Sequence, residues 1–279
     1  MNSSVLTNSG AMTALQTLRN INSDLTRTQD MISTGKKVGS AYDSAALWTI
    51  SKVMESDLTA FESLSNNLGL AQATVGVAKA ASEEALGVME NVYDKIVTAT
   101  TTGVDYTAIQ TEVDELMAQV GDIMNAAQFN GVNLVTGTAG TDDLVLTNRI
   151  NRSAAGAVTT SQLTVAAENL DGTVTTTAGA VDVGDAATAR TTLATFEGWL
   201  DSAQAAAAAF GTYQQRLDSQ SSFLSQMTDS IKQGIGAVVD ADLEKASARL
   251  QALQVQQQLG VQALSIANQA PQTILSLFR

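Results

Sequence analysis

Apolar residues recur at alternating spacings of three and four over much of the chain, and this spacing places them on one face of an α-helix. The longest such stripe runs from Leu47 to Ala99, with Asp57 and Ser82 as its polar members. A helix over most of this span would be about 80 Å long. The stripe therefore predicts one long helix that packs in a bundle. Its apolar members are Leu47, Ile50, Met54, Phe61, Leu64, Leu68, Ala71, Val75, Ala78, Ala85, Met89, Val92, Ile96 and Ala99.

Two further helices are predicted after the long one. Residues 101–105 read Thr-Thr-Gly-Val-Asp, which predicts a turn. After the turn comes a second stripe, and a third lies in a helix predicted from about Ala187 to Gly236. The second stripe consists of Ile109, Val113, Leu116, Val120 and Ile123, and the third of Tyr213, Leu217, Gln220, Leu224, Met227 and Ile231.

The two ends of the chain carry weaker stripes. Near the amino end, Leu18, Leu25 and Ile32 recur every seven residues, with Asn22 and Gln29 at the alternate positions. Each buried leucine contributes roughly 1.5–3 kcal/mol, whereas ordering each residue costs roughly 1–2 kcal/mol of backbone entropy. A seam this thin is marginal in isolation, so we expect both ends to need partners. The carboxyl-end stripe consists of Leu243, Ala246, Leu250, Leu253, Gln257, Gly260, Leu264 and Ala267.

The segment from about Gly137 to Asp185 differs in composition from the helices on either side. Thr, Gly, Ala and Asp dominate it. Residues 144–146 and 163–165 favour strands, and Asp171-Gly172 favours a turn. We predict a small β-rich insertion that is too poor in apolar residues to form a large domain.

Composition narrows the range of functions. The only proline is Pro271, so long helices can run without interruption. Aromatic residues make up 4% of the chain, too few for a thick globular core. Without cysteine or histidine, the chain lacks disulfides, thiol nucleophiles, the usual zinc and haem ligands and the usual general base. Because the carboxylates are scattered along helix faces, we expect neither catalysis nor a cofactor.

The charge of the chain also limits its partners. The formal net charge is -13, which repels nucleic acid and anionic lipid. No stretch of about 20 apolar residues is present, so we expect no membrane insertion. The first seven residues lack the charged start and apolar run of a cleavable signal peptide.

Four passages, in the same order along the chain, resemble the bacterial flagellin family. Residues 32–43, with Ile-Ser-Thr-Gly-Lys-Lys-Val followed by Ala-Tyr-Asp, resemble the segment between the first terminal helix and the long helix. Residues 127–134, Ala-Gln-Phe-Asn-Gly-Val-Asn-Leu, resemble the turn after the second helix, and Asp-Ala-Asp at 240–242 resembles the start of the last helix. Residues 267–279 resemble the carboxyl end of a compact, alphaproteobacterial-type member.

The resemblance implies a mainly α fold. It is an elongated antiparallel coiled-coil or helical bundle in which the terminal helices pair and a small β-rich insertion separates two of the helices. The domains expected are an amino-terminal D0 helix at 1–42, D1 helices at 43–136, an outer β-rich segment at 137–185, a D1 helix at 186–238 and a carboxyl-terminal D0 helix at 239–279.

The resemblance also implies a function. Flagellins are structural, non-enzymatic subunits that leave the cell unfolded through the flagellar type III export apparatus and polymerise into the extracellular filament used for motility. The partners implied are further copies of the chain, alone or with other flagellins, together with the export apparatus, a flagellin chaperone, the filament cap and the hook–filament junction proteins.

We expect polymerisation to use the apolar residues of the terminal helices and of the carboxyl tip. Pro271 is expected to end or kink the last helix, so that the tip packs on neighbouring subunits. The predicted polymerisation residues are Leu18, Leu25, Ile32, Leu243, Leu250, Leu253, Leu264, Ile274, Leu275, Leu277 and Phe278.

Three alternatives belong to other classes of protein. A hook–filament junction protein shares the terminal design, but residues 128–131 (Gln-Phe-Asn-Gly) are similar to flagellin at a place where junction proteins carry a different aromatic turn. An enzymatic flagellin would carry a zinc-protease insert with histidines. A secreted coiled-coil translocator would carry a long apolar membrane segment.

A stretch on the long helix bears on recognition by innate immunity. Flagellins that stimulate Toll-like receptor 5 carry a stretch resembling Leu-Gln-Arg-x-Arg-Glu-Leu, and residues 86–96 of this chain contain no arginine. Glu112 is similar to the family's second contact. We therefore expect a degenerate receptor-contact region and weak or absent activation. This region comprises Glu90, Asn91, Asp94, Lys95 and Glu112.

Overall fold

The structure is a computed structural model, and it describes residues 8–153, 156–170 and 181–277, with side chains described as far as Gln269. Five helices and two strands make up the described part. In chain order these are α1 (Ser9–Thr34), α2 (Ala45–Ala99), α3 (Tyr106–Ala126), β1 (Leu144–Arg152), β2 (Val158–Val165), α4 (Ala186–Val239) and α5 (Leu243–Leu277). The predicted fold class, mainly α with a small β-rich insertion, is confirmed.

The chain divides into two compact units. Unit 1 comprises residues 1–58 and 229–279, and unit 2 comprises residues 59–228. Unit 1 therefore contains α1, α5, the start of α2 and the end of α4. Unit 2 contains the remainder of α2 and α4, with α3 and both strands.

The hydrophobic core lies in unit 2. Every member of the main buried apolar cluster lies between Leu64 and Leu224. The stripe predicted on α2 is buried at every position from Leu64 to Ala99. Ser82 shares this burial, and its Oγ donates to the carbonyl oxygen of Ala78 at 2.8 Å, so the buried hydroxyl has a partner. The largest fully buried side chains are Phe196, Phe210, Leu68, Met89, Ile96, Met124, Leu134, Leu217 and Leu224.

The inserted segment forms an antiparallel hairpin that shares this core. Leu144 pairs with Val165 and Leu146 with Leu163, as the two predicted strand pieces require. The register shifts between Thr147 and Arg149, which marks a β-bulge. Leu146, Leu163 and Val165 are buried in the same cluster as the helices, so the insertion packs onto the bundle rather than forming a core of its own. The predicted turn at residues 171–172 lies outside the described residues.

Three details of the helix predictions are wrong. Leu47 and Ile50 are exposed, at 37% and 49%, because the inward positions at the start of α2 are Trp48 and Ser51, each one residue further along the chain. On α3, Met117 and Met124 are buried, so the inward face is rotated slightly from the predicted stripe. Of the two outcomes predicted at Pro271, an end of the last helix is wrong, because the helix continues to Leu277. A proline removes one backbone donor, and the hydrogen bonds on either side can carry a helix past it.

Candidate assembly interface

The terminal helices α1 and α5 pack antiparallel in unit 1. Asn8 caps the start of α1, because its Oδ1 accepts from the Ala11 backbone N–H at 3.0 Å. The Nδ2 of the same side chain donates to the carbonyl oxygen of Ala267 near the far end of α5, at 2.6 Å. At the opposite end of the pair, the Ala241 N–H donates to the Gly35 carbonyl at 2.9 Å. The two helices are therefore in register over nearly the whole length of α1.

The segment after α1 anchors the end of α4 and the start of α5. Gly35 ends α1 in the left-handed conformation, with φ of 69°. The Lys37 N–H then donates to the Val239 carbonyl at 2.7 Å, and its Nζ donates to the Ala237 carbonyl at 3.0 Å. This places a positive charge at the carboxyl end of α4, where the helix dipole favours it. Asp242 caps α5 through a hydrogen bond from the Lys245 N–H at 3.0 Å.

The seam between α1 and α5 is only partly buried. Leu18, Leu25 and Ile32 are half-buried, as are Leu250 and Leu264. Full burial in the pair is restricted to a few side chains among the described residues, namely Thr28, Ala246 and Leu253. The seam therefore excludes water incompletely.

The polar seam positions predicted for α1 are wrong. Asn22 and Gln29 are exposed, and the inward positions between the leucines are Ile21 and Thr28. The Thr28 hydroxyl is satisfied within its own helix, because Oγ1 donates to the Asp24 carbonyl at 2.7 Å. When only every seventh residue is apolar, the second inward position of each repeat can lie three or four residues after the first. In α1 it lies three residues after, at Ile21 and Thr28.

A glycine brings the two helices into close contact. A Cβ built on Gly260 would lie 3.2 Å from Cδ1 of Leu18 and 3.9 Å from Cδ1 of Ile21. At the next turn, the Nε2 of Gln257 donates to the Oδ1 of Asn22 at 2.7 Å. The Gln257 contact and the glycine together keep α5 close to α1 at positions that carry no large apolar side chain.

A half-buried carboxylate organises the loop between α1 and α2. Asp43 accepts from the hydroxyl and N–H of Ser40, both at 3.0 Å, and from the N–H of Gly39 at 3.1 Å. The hydrogen bonds from Ser40 hold the pKa of Asp43 below its ordinary value, and Arg27, 3.9 Å away, adds a smaller effect in the same direction.

Several apolar side chains of the pair point away from the seam. Met12 and Ile266 are each 69% exposed, and Leu243, predicted to lie in the carboxyl-end stripe, is 49% exposed. Leu15, Val255, Leu259 and Val261 are also exposed. Apart from Leu243, these residues were missed by sequence reasoning, because it considered only the stripe that faces the partner helix. Helices with apolar residues on more than one side are typical of buried helices.

Comparison with known proteins identifies the chain. A model of the bacterial flagellin N-terminal helical region matches residues 5–140, and one of the C-terminal helical region matches residues 193–278. The chain belongs to the bacterial flagellin family. It is similar to a flagellin of Brucella melitensis, with 42% identity over 99% of both chains. It is also similar to flagellin FljM of Caulobacter vibrioides, with 38% identity over 99% of this chain and 98% of that one.

A solved structure supports the fold. A Vibrio parahaemolyticus chain assigned to the flagellar hook-associated proteins superposes with a TM-score of 0.51 and 13% identity, covering 72% of this chain and 99% of that one. At this identity the likeness concerns the fold alone. Both family models and the curated relatives are flagellins, and nothing favours a junction protein.

This flagellin is a structural subunit of the bacterial flagellar filament, and its family is structural rather than enzymatic. Among the described residues, no group of carboxylates could hold a metal ion. None of the described helices combines the length and apolar character that a membrane span requires.

The carboxyl tip of this flagellin is described only in its backbone. Helix α5 extends through residues 268–277, beyond the level at which Ala267 contacts Asn8 at the start of α1. Predicted polymerisation residues in the tip lie outside the residues whose side chains are described; they are Ile274, Leu275, Leu277 and Phe278.

The predicted receptor-contact residues lie together on unit 2. Glu90, Asn91 and Asp94 are exposed on α2. Lys95 forms an ion pair with Glu112 of α3, and the Asn91 Nδ2 donates to the carbonyl of residue 87 at 3.1 Å. The cationic group of Lys95 is therefore engaged by a carboxylate of its own chain.

Proposed function

We propose that the paired terminal helices are the polymerisation element of this flagellin. Helices α1 and α5 pack against neighbouring copies and form a hollow homopolymer, alone or with other flagellins. The observation that carries the proposal is the apolar surface that the pair leaves uncovered, including Met12 and Ile266 at 69% exposure and Leu259 at 57%. Hiding apolar area stabilises by about 25 cal/mol per Å², so burial between copies would stabilise helices whose own seam is thin.

The seam and the outer faces have different roles in this proposal. Leu18, Leu25, Leu250 and Leu253 hold α1 to α5, whereas Met12 and its exposed neighbours contact other copies. In domain terms, residues 1–42 and 239–279 form the inner D0 helices, 43–136 and 186–238 form D1, and 137–185 form the outer segment.

Family membership supports a proposal for the route to the filament. We infer that the chain is exported unfolded through the flagellar type III apparatus, with a cytoplasmic chaperone on its carboxyl end, and is added beneath a filament cap beyond the junction proteins. A thin terminal seam suits this route, because little stability has to be overcome before export. The chain acts without catalysis.

Removal of the carboxyl tip tests the polymerisation element. A chain that ends at Ala270 lacks Ile274, Leu275, Leu277 and Phe278, whose burial would contribute on the order of 6–12 kcal/mol per subunit. We expect this chain to appear in the culture medium as monomer that cannot be seeded into filaments. Electron microscopy of seeded protein measures the outcome.

A matched control separates apolar contact from chain length. In a full-length chain, replacing Ile274, Leu275 and Leu277 with alanine should also block seeding, whereas Gln272→Ala with Ser276→Ala should leave filaments normal. Normal filaments from the chain that ends at Ala270 would show that the tip is dispensable and would overturn its role in assembly.

The receptor-contact region supports a second, separate expectation. Arginine presents a bidentate fork that asparagine and aspartate cannot replace, and the nearby cation, Lys95, pairs with Glu112. We therefore infer weak or absent activation of Toll-like receptor 5. Endotoxin-free protein applied to a receptor-reporter cell line measures this, and potent signalling would contradict it.

A further inference from the structure

A groove lined by apolar and uncharged polar residues lies in unit 2 between α2, the turn after α3 and strand β1. The turn is a tight reversal in which Phe129 and Val132 exchange backbone hydrogen bonds of 2.9 and 3.0 Å. Asn130 and Gly131 have φ of 50° and 84°, as the two central positions of such a reversal require. The groove has a volume of ≈ 350 Å³, and its lining includes Asn67, Leu70, Phe129, Val132, Leu144 and Val145.

The walls of the groove are open to solvent. Leu70 of α2 is 49% exposed, Val145 of β1 is 52% exposed, and Phe129 of the turn is half-buried. An enclosed apolar cavity of about 150 Å³ is enough to bind benzene. The groove therefore has room for an aromatic side chain from another molecule.

Charge restricts where two copies of unit 2 can touch. Residues 59–228 carry 19 Asp and Glu against 6 Lys and Arg, so this unit accounts for the whole formal charge of -13. Like charges brought together at an interface oppose association. None of the described residues that line the groove is charged. The groove is thus a neutral surface on an acidic unit, at which a second copy can approach.

A matching neutral projection lies on α4. Phe223 is 51% exposed, and residues 219–228 around it contain no charged side chain. The Nε2 of Gln72 donates to Asp218 at 2.7 Å, which places this part of α4 beside the part of α2 that forms the groove. The groove and Phe223 therefore lie at a similar level of the bundle, as a side-by-side contact between copies requires.

We propose that Phe223 of one copy seats in the groove formed by Leu70, Phe129 and Val145 of a laterally neighbouring copy. A projection that fits a different surface on the next molecule makes a head-to-tail contact, and such contacts build rings or open helical polymers. The proposal rests on the filament function and adds to the terminal helices a second contact, which sets lateral spacing.

Cross-linking between copies tests the contact directly, because the chain has no cysteine of its own. Asn67→Cys places a thiol at the rim of the groove, and Ser219→Cys places one a helical turn before Phe223 on the same face. The two variants are mixed, assembled and treated with a short bismaleimide. Mass spectrometry should find peptides joining position 67 to position 219 in filaments and none in unassembled protein.

The control pairs Ser219→Cys with Val97→Cys, which is exposed at 41% but lies outside the groove. This pair should not cross-link. Well-formed filaments without the 67–219 cross-link, or with equal cross-linking at Val97, would overturn the proposal and show that the groove is not filled by Phe223.

Substitution of the aromatic residue provides an independent measurement. Phe223→Ala should raise the critical concentration for polymerisation about tenfold, as loss of an interface aromatic does, whereas Phe223→Leu should stay close to the unmodified chain. Circular dichroism of the monomer checks that the helices are intact. An unchanged critical concentration for Phe223→Ala would also overturn the proposal. Both variants keep the terminal helices, so this measurement tests the groove contact separately from the carboxyl tip. If the proposed role of the tip were wrong, the chain that ends at Ala270 would form filaments.

Discussion

Gly137 occupies a position in unit 2 that no larger residue can enter without moving backbone. A Cβ there would lie 2.7 Å from the carbonyl oxygen of Asn133, 2.8 Å from Cβ of Asp142 and 3.1 Å from Cβ of Ala167. Two of these neighbours are Cβ atoms and the third is a main-chain atom, so none is the movable end of a long side chain. Gly87, in contrast, lies on the exposed face of α2, and no atom of the described residues lies within 4 Å of such a Cβ.

These two glycines predict opposite effects of alanine. Gly137→Ala should destabilise unit 2 by about 1–3 kcal/mol, because the clash forces the backbone to shift. Gly87→Ala should stabilise it by about 0.5–1 kcal/mol, because alanine is the better helix former. Urea unfolding of the monomer followed by circular dichroism measures both. Equal effects of the two substitutions would contradict the packing around Gly137.

The loop at Asp43 should respond to acid through its hydrogen bonds. Because the pKa of this carboxyl is lowered when folded, its contribution to stability is fully present above the ordinary pKa of about 3.9 and is lost as the pH falls through the folded value. Ser40→Ala removes the hydroxyl donor and should raise the pKa of Asp43 towards its ordinary value. Carbon-13 NMR titration of the Asp43 carboxyl in assembled protein measures the change. Ser33→Ala is the control, and an unaltered pKa in Ser40→Ala would contradict this account.

At the scale of helices, the sequence predicts best where an apolar stripe is also buried within the chain. From Leu64 to Ala99, the three–four spacing identifies the inward face of α2 at each position, because unit 2 covers that face completely. At Leu47 and Ile50 the same spacing continues but the side chains are exposed. Periodicity shows which residues share a face, whereas it cannot show whether this chain or another one covers that face.

The candidate interface was predictable in part for the same reason. Leu18, Leu25 and Leu253 could be found from their spacing, because they face the partner helix within the chain. Met12 and Ile266 lie outside that stripe, and only the structure shows them uncovered. The groove beside Phe129 was equally out of reach, since it joins residues from α2, the turn after α3 and strand β1 that are far apart in sequence.

The difference in burial between the core of unit 2 and the terminal helices predicts where protease cleaves the monomer. The main apolar cluster lies entirely between residues 64 and 224, whereas the seam of α1 and α5 is mostly half-buried. We expect the terminal helices to become stably ordered only on assembly, because elements with few buried contacts open most readily. Limited proteolysis of the monomer should remove roughly residues 1–45 and 235–279 and leave the middle intact. Protease-resistant ends in a verified monomer would contradict this expectation.

Charge is divided unequally over the molecule as a whole. Unit 2 carries the entire formal charge of -13, while unit 1 contains nine acidic and nine basic residues. The proposed polymerisation helices are therefore almost free of net repulsion, and each added subunit still brings an acidic unit 2 close to others. Opposition to assembly should come mainly from unit 2.

This division predicts that assembly depends on ionic strength. The Debye length falls from about 30 Å at 0.01 M salt to about 8 Å at 0.15 M, so added sodium chloride should screen the repulsion between copies and lower the critical concentration severalfold. A variant with Glu84→Gln, Glu115→Gln and Asp122→Asn removes three negative charges from exposed faces of unit 2. It should have a lower critical concentration at low salt and a shallower salt dependence.

The control variant, Thr111→Ser with Gln119→Asn, changes neighbouring exposed positions without changing charge and should behave as the unmodified chain does. Sedimentation of seeded filaments across a salt series measures all three proteins. If the neutralised variant kept the full salt dependence, repulsion between copies of unit 2 would not be the term that opposes assembly, and the source would have to lie in the balanced charges of unit 1.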